Sequence, residues 1–433
     1  MTHFEDRIAH WLSLDEAMQR VLEQAADLGV ESLPIDNALG RVLAQNIHAP
    51  STLPPLDNSA MDGYAVRSSD LGTASKENPF VFDVVGVVHA GGSFVDTVGE
   101  NEAVRIMTGG SVPKGADTIV RVEDTDREQS ALGKIAIFSS RDSGRNVRPS
   151  GEDWTKGTVV LKSGQSISPR QIALLAATRT NPVPVFKKPT VAVLSSGNEL
   201  EALSSPSLSP EKIPESNSHL ICASVKAAGA IPEDLGIARD NLQDIEAHIK
   251  QGREADVLIT VGGASMGEGD LFKSCLDQSG FLLDFWRAKI RPGSPVSFGQ
   301  LPRENRRNQM VFGLPGNPSS AMVTFEILVR PFLLALAGSS RIYRPIIPAH
   351  SGTDLKSPKN LTEFPRVKIE KKDGHLIFTP AGPQGSGLVS SLSVADALAI
   401  IPEGIDTVSK GKVLNLILLH DSPGFYDWSV NTS

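Results

Sequence analysis

The sequence has few of the residues that build disulfide frameworks or metal clusters. It contains two cysteines, Cys222 and Cys275, in 433 residues. Both fall in helix-like stretches, which favours buried free thiols over a redox pair. The nine histidines form no HExxH pattern and no tight cluster. No G-x-S-x-G sequence occurs, so nucleophilic serine hydrolysis is disfavoured.

Long apolar runs and an excess of positive charge are also lacking. The N-terminal MTHFEDRIAH has early acids and no apolar region typical of a secretory signal. We expect no stretch that approaches the ~20 apolar residues of a membrane span. The formal net charge of -8 argues against a nucleic-acid or membrane-surface binder. A cytoplasmic protein is therefore expected, and an anionic small-molecule ligand stays open because amides and a few cations can be concentrated locally.

What is present indicates a globular chain of several domains, since 433 residues exceed what one hydrophobic core usually serves. Ser13 is predicted to cap an amphipathic helix over 13–27, and a short helix that leads to an extended segment is predicted over 38–47. Short apolar runs between turn residues predict a β-rich module over 49–140. The expected domains are 1–48 with 149–187 (mixed α/β), 49–148 (β-rich insertion), 188–338 (α/β) and 339–433 (small β).

From residue 190 the pattern alternates between strands and helices, which predicts an α/β domain with a mostly parallel sheet. The predicted strands are 190–196, 231–238, 255–263, 281–290 and 310–316, and the predicted helices are about 217–229, 241–252, 270–279 and 318–337. Ligands of such sheets bind beyond the carboxyl ends of the strands. Small, hydroxyl and single acidic residues recur there, in the loops 195–199, 238–241, 262–270, 291–295 and 314–320.

The loop GGASMGEGD (262–270) is the strongest of these signals. Gly262 and Gly263 let the backbone approach a ligand closely, and successive amides followed by a helix N-terminus can hold an anion. Two nucleotide-binding patterns are excluded. Glu268 stands where a Walker loop requires lysine, and the third glycine of a dinucleotide fingerprint is missing, which also disfavours a nicotinamide-dependent oxidoreductase.

The acids Glu199, Asp240 and Asp270 lie in three of these loops, where carboxylates beside a phosphate suit Mg²⁺. Ordinary helix capping explains Asp240 and Asp270 equally well, and a helix-dipole role is open for Glu199. The start GNPSS (316–320) likewise fits a helix capped by Asn317 with Pro318 at its first position, or an anion site that uses the hydroxyls of Ser319 and Ser320. Further polar loops occur in the β-rich region at 56–67, 105–117 and 145–153.

Together these loops resemble the molybdopterin molybdenumtransferase family, which includes the MoeA proteins and the gephyrin E domain. The matching pieces are DNSAMDGYAVR, RIMTGGSVPKGAD, RPSGED, SSGNEL, GGASMGEGD and GLPGNPSSAM, in family order and over nearly the whole chain. DNSAMDGYA and LPGNP are the specific ones.

The resemblance implies a multidomain α/β plus β fold in an elongated subunit, and a homodimer whose cleft is shared between the α/β domain of one subunit and the β domain of the other. It implies binding of adenylylated molybdopterin, cleavage with Mg²⁺ and molybdate as co-substrate, and release of AMP and molybdenum cofactor. Molybdopterin adenylyltransferase and molybdoenzymes are implied partners.

The implied catalytic positions are Asp62, Thr108, Glu199, Asp240, Asp270 and Arg291. The implied metal positions are Asp62, Asp153, Glu199 and Asp270, and the implied substrate-binding positions are Gly262, Gly263, Ser265, Gly267, Ser294, Pro315, Gly316, Asn317, Pro318 and Ser319.

Two motifs depart from the family pattern. Asn198 replaces the acid of TGDE, and RPGSP replaces KPGKP, so Arg291 keeps one charge and Ser294 loses the other. One missing cation costs roughly 1–3 kcal/mol of anion binding. Lys289 and Arg287 are the neighbouring cations that could compensate. Two functions therefore stay open: an active molybdenum insertase, and a divergent relative that binds molybdopterin or scaffolds cofactor delivery without efficient turnover.

Overall fold

The computed structural model describes residues 11–206, 209–262 and 271–420, and the chain divides into two compact units. The first unit contains Met1–Gln45, Ser163–Ser168 and Val183–Ser433, and the second contains Asn46–Lys162 and Pro169–Pro182. The finer division into four domains stays a prediction.

The helices, in chain order, are α1 (Leu14–Glu23), α2 (Pro169–Ala177), α3 (Asn217–Ala227), α4 (Leu242–Gln251), α5 (Leu271–Gln278), α6 (Pro318–Thr324), α7 (Arg330–Leu336) and α8 (Ser390–Ser393), with a π-helical turn at Phe325–Val329 between α6 and α7. The predicted cap of α1 is confirmed. Ser13 and Glu16 form a reciprocal capping box, in which each side chain accepts the other residue's backbone N–H.

The strands of the second unit are β2 (Ile47–His48), β3 (Asn58–Ser59), β4 (Gly63–Val66), β5 (Phe80–Val88), β6 (Glu102–Ile106), β7 (Thr118–Arg121), β8 (Lys134–Ile137), β9 (Val147–Arg148) and β10 (Val159–Leu161). Five of them form a sheet in the order β7-β4-β6-β5-β8. Alternating residues of β4 enter separate apolar clusters, Tyr64 and Val66 on one face and Ala65 on the other. The predicted β-rich region is confirmed.

The strands of the first unit are β1 (Val30–Leu33), β11 (Val183–Phe186), β12 (Thr190–Ser196), β13 (Leu200–Glu201), β14 (Ile213–Pro214), β15 (Ile231–Ala238), β16 (Val257–Val261), β17 (Leu282–Arg287), β18 (Ile290–Arg291), β19 (Pro295–Leu301), β20 (Gln309–Leu314), β21 (Ile346–Ser351), β22 (Leu355–Lys356), β23 (Thr362–Glu363), β24 (Arg366–Lys372), β25 (His375–Pro380), β26 (Ala397–Ala399), β27 (Thr407–Val408) and β28 (Val413–Leu418).

A six-stranded sheet in the order β15-β12-β16-β20-β19-β17 forms the centre of this unit. The pairings from β15 to β20 are parallel, and β19 runs antiparallel to both β20 and β17. Five strands therefore share one direction, which confirms the predicted mostly parallel sheet. β16 (VLITV) is buried throughout, as expected for a parallel strand covered on both faces.

Helices cover both faces of the sheet. Val191 and Val193 belong to one apolar cluster with residues of α1, α3, α6 and α7, whereas Ala192 and Leu194 belong to another with residues of α4 and α5. This alternation is the two-residue period of a strand. Cys275 is buried in the second cluster, Cys222 is half-buried, and both thiols are free, as predicted.

The run Pro318–Leu336 corrects our expectation about apolar length. It is a continuous helical run of 19 residues that is apolar enough to cross a bilayer. Within the protein 72% of its apolar window is buried, against the sheet. The protein covers this helix on most sides, and an apolar composition is usual for such a core helix.

The C-terminal residues form a closed barrel, β21-β25-β24-β26-β28, around Val367, Phe378 and Leu416. The small C-terminal β domain in the predicted fold class is thereby confirmed. A parallel pairing of β18 with β23 connects the segment before the turn PGSP to the chain just before β24.

The helix predicted within 38–47 is wrong, whereas the extended segment expected after it is present as β2. The N–H groups of Gly40 and Leu43 donate to the carbonyls of Ile167 and Gln165, so this segment pairs with a distant stretch instead of with itself. The sequence interpretation also missed β19, because the turn PGSP hides the start of its apolar pattern. The stretch 281–290 is two short strands, β17 and β18, with irregular register rather than one long strand.

Candidate functional site

The strand directions bring the described residues of the five predicted loops to one edge of the central sheet. β12, β15, β16, β17 and β20 all end there, and β19 begins there. The three central ends belong to β12, β16 and β20, which are neighbours in the sheet. The carboxyl edge of an open α/β sheet is the usual position of a ligand site.

Gly262 lies directly between the neighbouring strand ends. Its φ is +95°, and a Cβ at this position would lie 2.9 Å from the carbonyl oxygen of Ser196. Its N–H donates to the Leu314 carbonyl at 3.1 Å, and a Cβ at Gly316 would lie 3.6 Å from the Gly262 Cα. Glycine is thus required here both by backbone conformation and by close backbone approach.

The structure describes only Gly262 of the predicted glycine loop 262–270. The predicted positions that lie outside the described residues are Gly263, Ser265, Gly267, Glu268 and Asp270. α5 is described from Leu271 onward.

Asn198 and Asp240 hold two of the loops together. The Asn198 N–H donates to Asp240 Oδ2 at 3.0 Å, and the Asp240 N–H donates to Asn198 Oδ1 at 3.2 Å. Asn198, which replaces the acid of the family pattern, therefore supplies an amide oxygen to the reciprocal contact between the two loops. Glu199 follows at once, and its carboxylate lies over Gly197, where a Cβ would be 2.5 Å from both carboxylate oxygens.

Arg291 and Ser294 flank the turn between β18 and β19. The Arg291 side chain is 58% exposed, and its Nε lies 3.5 Å from Glu363 Oε1. Ser294 is half-buried, and its hydroxyl donates to the Ile290 carbonyl at 2.6 Å. A Cβ at Gly293 would lie 2.5 Å from the Thr324 methyl group, so the turn packs closely on α6. Arg291 therefore offers a reachable cation at this edge, and Ser294 does not.

The two cations that could compensate for Ser294 have other contacts. The guanidinium of Arg287 lies 4.2 Å from the ring centroid of Trp286 and 5.1 Å from that of Trp11. Lys289 Nζ lies 3.6 Å from Glu403 Oε2. Each charge is already partly matched within the protein.

The helix start at GNPSS differs from its predicted chemistry. Asn317 occupies the N-cap position, yet within the described residues its side chain accepts no helix N–H and its Nδ2 donates to Ser386 Oγ at 3.0 Å. Ser319 is fully buried, its N–H donates to the Ser386 carbonyl, and its hydroxyl donates to the Leu388 carbonyl. The Ser319 donors are thus used by the chain near Ser386 and are not free for a ligand. Pro315 is buried, Pro318 is half-buried, and Gly316 is exposed.

In the other unit, Asp62 and Thr108, two of the positions implied by the resemblance, are joined by hydrogen bonds. The N–H and the hydroxyl of Thr108 both donate to Asp62 Oδ1, at 2.7 and 2.9 Å. Both bonds lower the pKa of the exposed Asp62 carboxyl below its usual value of 3.8, and the bond from the backbone N–H has the larger effect. Asp62 borders a cavity of about 330 Å³ together with Tyr64, Arg105 and Arg127. The carboxylate is therefore ionised and reachable.

Asp153 borders a second cavity in the same unit, of about 420 Å³, with Asn58, Arg148 and Glu152. The buried Asn58 Oδ1 has no hydrogen-bond partner in the described part of the chain. A further cavity of about 600 Å³ runs along β17 and α1, and none of the predicted site residues lines it.

The carboxylate and amide oxygens described above are the type of ligand that binds a magnesium ion. Within residues 11–206, 209–262 and 271–420 no three acidic, histidine or cysteine side chains form a metal-binding group. Mg²⁺ commonly uses only one or two protein carboxylates and completes its shell with water and substrate phosphate oxygens. Asp153 with Asn58 Oδ1, or Asp62 or Glu199 alone, is compatible with that mode of binding.

Sequence reasoning missed Arg366, a fully buried cation of the C-terminal barrel. Its Nε donates to Ser391 Oγ, and its Nη2 donates to the carbonyls of Pro383 and Gly385. Burial lowers the pKa of its guanidinium. Arg366 thereby supports the chain that contacts Asn317 and Ser319, and the charged stretch TEFPR within a β pattern was the available signal.

Comparison with known families covers most of the chain. Residues 12–178 match the profile described as MoeA N-terminal region (domain I and II), residues 192–335 match the probable molybdopterin binding domain, and residues 348–419 match the MoeA C-terminal region (domain IV).

Individual relatives agree with these profiles over nearly full length. A molybdopterin molybdenumtransferase of Bacillus subtilis is 34% identical, with 97% of each chain covered. One from Haemophilus influenzae is 34% identical over 94% of this chain and 98% of its own. The crystal structure of a molybdopterin biosynthesis MoeA protein from Pyrococcus horikoshii is 31% identical with a TM-score of 0.78, covering 95% of this chain and all of that one. The chain belongs to the molybdopterin molybdenumtransferase (MoeA) family and is an enzyme of molybdenum cofactor biosynthesis.

Proposed function

We propose that this chain inserts molybdenum into adenylylated molybdopterin, cleaving the pyrophosphate link and releasing AMP and molybdenum cofactor. The observation that carries this proposal is the carboxyl edge of the central sheet, where Gly262 lies against Ser196 and Gly316, together with the exposed Arg291 before the turn that leads into β19. Backbone groups and an exposed cation at the end of parallel strands suit an anionic group such as a phosphate or molybdate.

The residues have separate roles in this proposal. The backbone around Gly262 and Gly316 lets the phosphate approach closely, and Arg291 offsets its charge through several N–H donors. The Asn198–Asp240 pair fixes two loops, so that Glu199 is presented at the edge. Asp62 stays ionised through the Thr108 donors and can hold a cation or orient a water.

Magnesium is part of the proposal, with Asp62, Asp153 and Glu199 as the described candidates to hold it. When bound, a divalent cation offsets charge on phosphate oxygens during cleavage of a pyrophosphate. Asn58 lines the same cavity as Asp153, and its buried Oδ1 has no hydrogen-bond partner among the described residues, which supports that position as one of the ligand sites.

The partners in the proposal follow from the family resemblance. They are molybdate as co-substrate, a second copy of this chain in a homodimer, molybdopterin adenylyltransferase as the source of substrate, and molybdoenzymes as acceptors. Sedimentation of the purified protein tests the homodimer directly, and a mass of one chain at micromolar concentration would count against it.

The test of the reaction is AMP release by purified protein given adenylylated molybdopterin, Mg²⁺ and molybdate. We expect turnover that needs both ions, and a loss of about 10²-fold or more in Asp62→Asn and in Glu199→Gln, as for removal of a group that acts in the transition state. Glu254→Gln, which alters an exposed ion pair with Arg306, is the control and should keep wild-type turnover.

A second function is supported by one observation. Ser294 supplies no cation, and its hydroxyl is donated to Ile290. A relative that binds molybdopterin or scaffolds cofactor delivery without efficient turnover would bind the adenylylated substrate tightly and release no AMP. That result would replace the insertase with this function.

A further inference from the structure

Glu363 is the acidic neighbour of Arg291, an exposed cation at the sheet edge. Arg291 and Glu363 are register partners in the parallel pairing of β18 with β23. The Phe364 N–H donates to the Arg291 carbonyl at 2.7 Å, and the Thr362 N–H donates to the Lys289 carbonyl at 2.9 Å. The backbone of Arg291 is therefore fixed to the segment that carries Glu363.

The two side chains differ in burial. Arg291 is 58% exposed, whereas Glu363 is 14% exposed, and their closest approach is 3.5 Å between Nε and Oε1. Glu363 Oε2 is buried and has no hydrogen-bond partner among the described residues. The Glu363 backbone exchanges two hydrogen bonds with Ile401, so its partly buried carboxylate extends from a fixed backbone position beside a long and mobile arginine.

An arginine has five N–H donors, and a contact through the Nε side leaves donors for a second acid or oxyanion. A free arginine side chain also loses up to about 2 kcal/mol of rotamer freedom when it is immobilised by a ligand. A neighbour that restricts the side chain in advance removes part of that cost.

We infer that Glu363 is a positioning residue, which holds the Arg291 guanidinium at the carboxyl edge of the sheet so that it binds the oxyanion co-substrate. This inference rests on the proposed function. It identifies Glu363 as the residue that adapts the proposed anion site to Arg291. Glu363 itself does not touch the anion.

The alternative effect of a carboxylate is competition, in which Glu363 neutralises Arg291 and weakens anion binding. The two effects predict opposite results for Glu363→Gln. The amide oxygen of glutamine can occupy the place of Oε1, 3.5 Å from Nε, without a charge, so positioning is kept and competition is removed.

The experiment measures AMP release against molybdate concentration. For Glu363→Ala we expect KM for molybdate to rise about two- to fivefold, the size of a lost exposed ion pair, with kcat within about twofold of wild type. Glu363→Gln should restore KM to within about twofold of wild type. Glu254→Ala, which removes the exposed partner of Arg306, is the matched control and should leave KM unchanged.

An unchanged KM in Glu363→Ala, or a KM below wild type in Glu363→Gln, would overturn the inference. Should Glu363→Ala fail to fold, Glu363→Asp replaces it, because the shorter side chain withdraws the carboxylate from Nε and should give the same rise in KM.

Equilibrium dialysis with molybdate alone separates this inference from the proposed function. A wild-type protein that releases no AMP contradicts the insertase, while a two- to fivefold weaker molybdate affinity in Glu363→Ala than in wild type still supports the positioning role. Equal molybdate affinity in the two proteins would contradict it.

Discussion

Asp62 illustrates how single contacts set the chemistry of one residue. Its Oδ1 accepts two hydrogen bonds from Thr108, and the pKa of this exposed carboxyl is lowered chiefly by the backbone one. The folded-state pKa lies below 3.8, so the stabilisation of the fold by this group is present above pH 3.8 and is lost as the pH falls through the lowered pKa. The charge needed for a cation is thus secured by local geometry.

Thr108→Val is the residue-scale prediction. The variant removes the hydroxyl donor and keeps the backbone donor, so the pKa of Asp62 should rise and stay below its usual value. A pH titration of the Asp62 carboxyl carbon by NMR measures this shift. Thr155→Val, which removes a hydroxyl paired with Thr158 in the same unit, should leave Asp62 unaffected. An identical Asp62 titration in Thr108→Val would show that the hydroxyl contributes nothing.

At the scale of elements, the position of the site follows from strand direction. β12, β16 and β20 are adjacent and parallel, so their ends meet, and Gly262 fills the narrow space between Ser196 and Gly316. Helix propensity and the number of glycines in the loop do not determine this position of Gly262. It depends on which strands are neighbours, since the same glycine at a sheet border would have free space around it.

Gly262→Ala is the element-scale prediction, with Gly280→Ala as its matched control. Both glycines have positive φ, +95° and +81°, but a Cβ at Gly280 meets nothing within 4 Å. We expect Gly280→Ala to lower the free energy of unfolding by about 1 kcal/mol and Gly262→Ala by about 2 kcal/mol or more, because only the latter adds a collision with Ser196. Urea denaturation measures both. Equal losses would mean that the strand ends separate easily.

At the scale of the whole molecule, buried charge connects the core helices to the C-terminal chain. Glu326, in the π-helical turn, accepts from Arg344 Nε at 2.6 Å and from Nη2 at 2.9 Å, and lies 3.9 Å from Arg330 Nε. Arg344 immediately precedes the barrel strand β21. A two-point arginine–carboxylate contact fixes both distance and orientation, so the chain enters the barrel at a defined point.

Glu326→Gln is the prediction at this scale. Both Glu326 and Arg344 are largely buried, at 7% and 14% exposure, so removing one charge leaves the other without its partner. We expect a loss of about 3 kcal/mol in the free energy of unfolding. Glu254→Gln, whose side chain is 78% exposed, should cost less than about 1 kcal/mol. Similar losses in the two variants, measured by denaturation, would contradict the structural role of Glu326.

The sequence by itself determined the family, the alternating elements of the α/β domain and the edge at which its loops meet. Apolar periodicity is a local property, and the strand β16 and the capping box of α1 can be read from neighbouring residues alone. The motifs also named Asp62 and Thr108 separately, and only the structure shows that these two residues, 46 positions apart, are joined by hydrogen bonds.

Tertiary structure alone decided the contacts between segments that are distant in the sequence. The stretch 38–47 looks helical, but its N–H groups find partners at 165 and 167. Ser319 looks available to a ligand, but the chain at 386–388 takes its donors. No local pattern indicated the contact of Glu363 with Arg291, because that contact depends on the pairing of β23 with β18. Such pairings depend on long-range packing, and the free energy that selects them is not encoded in any local pattern.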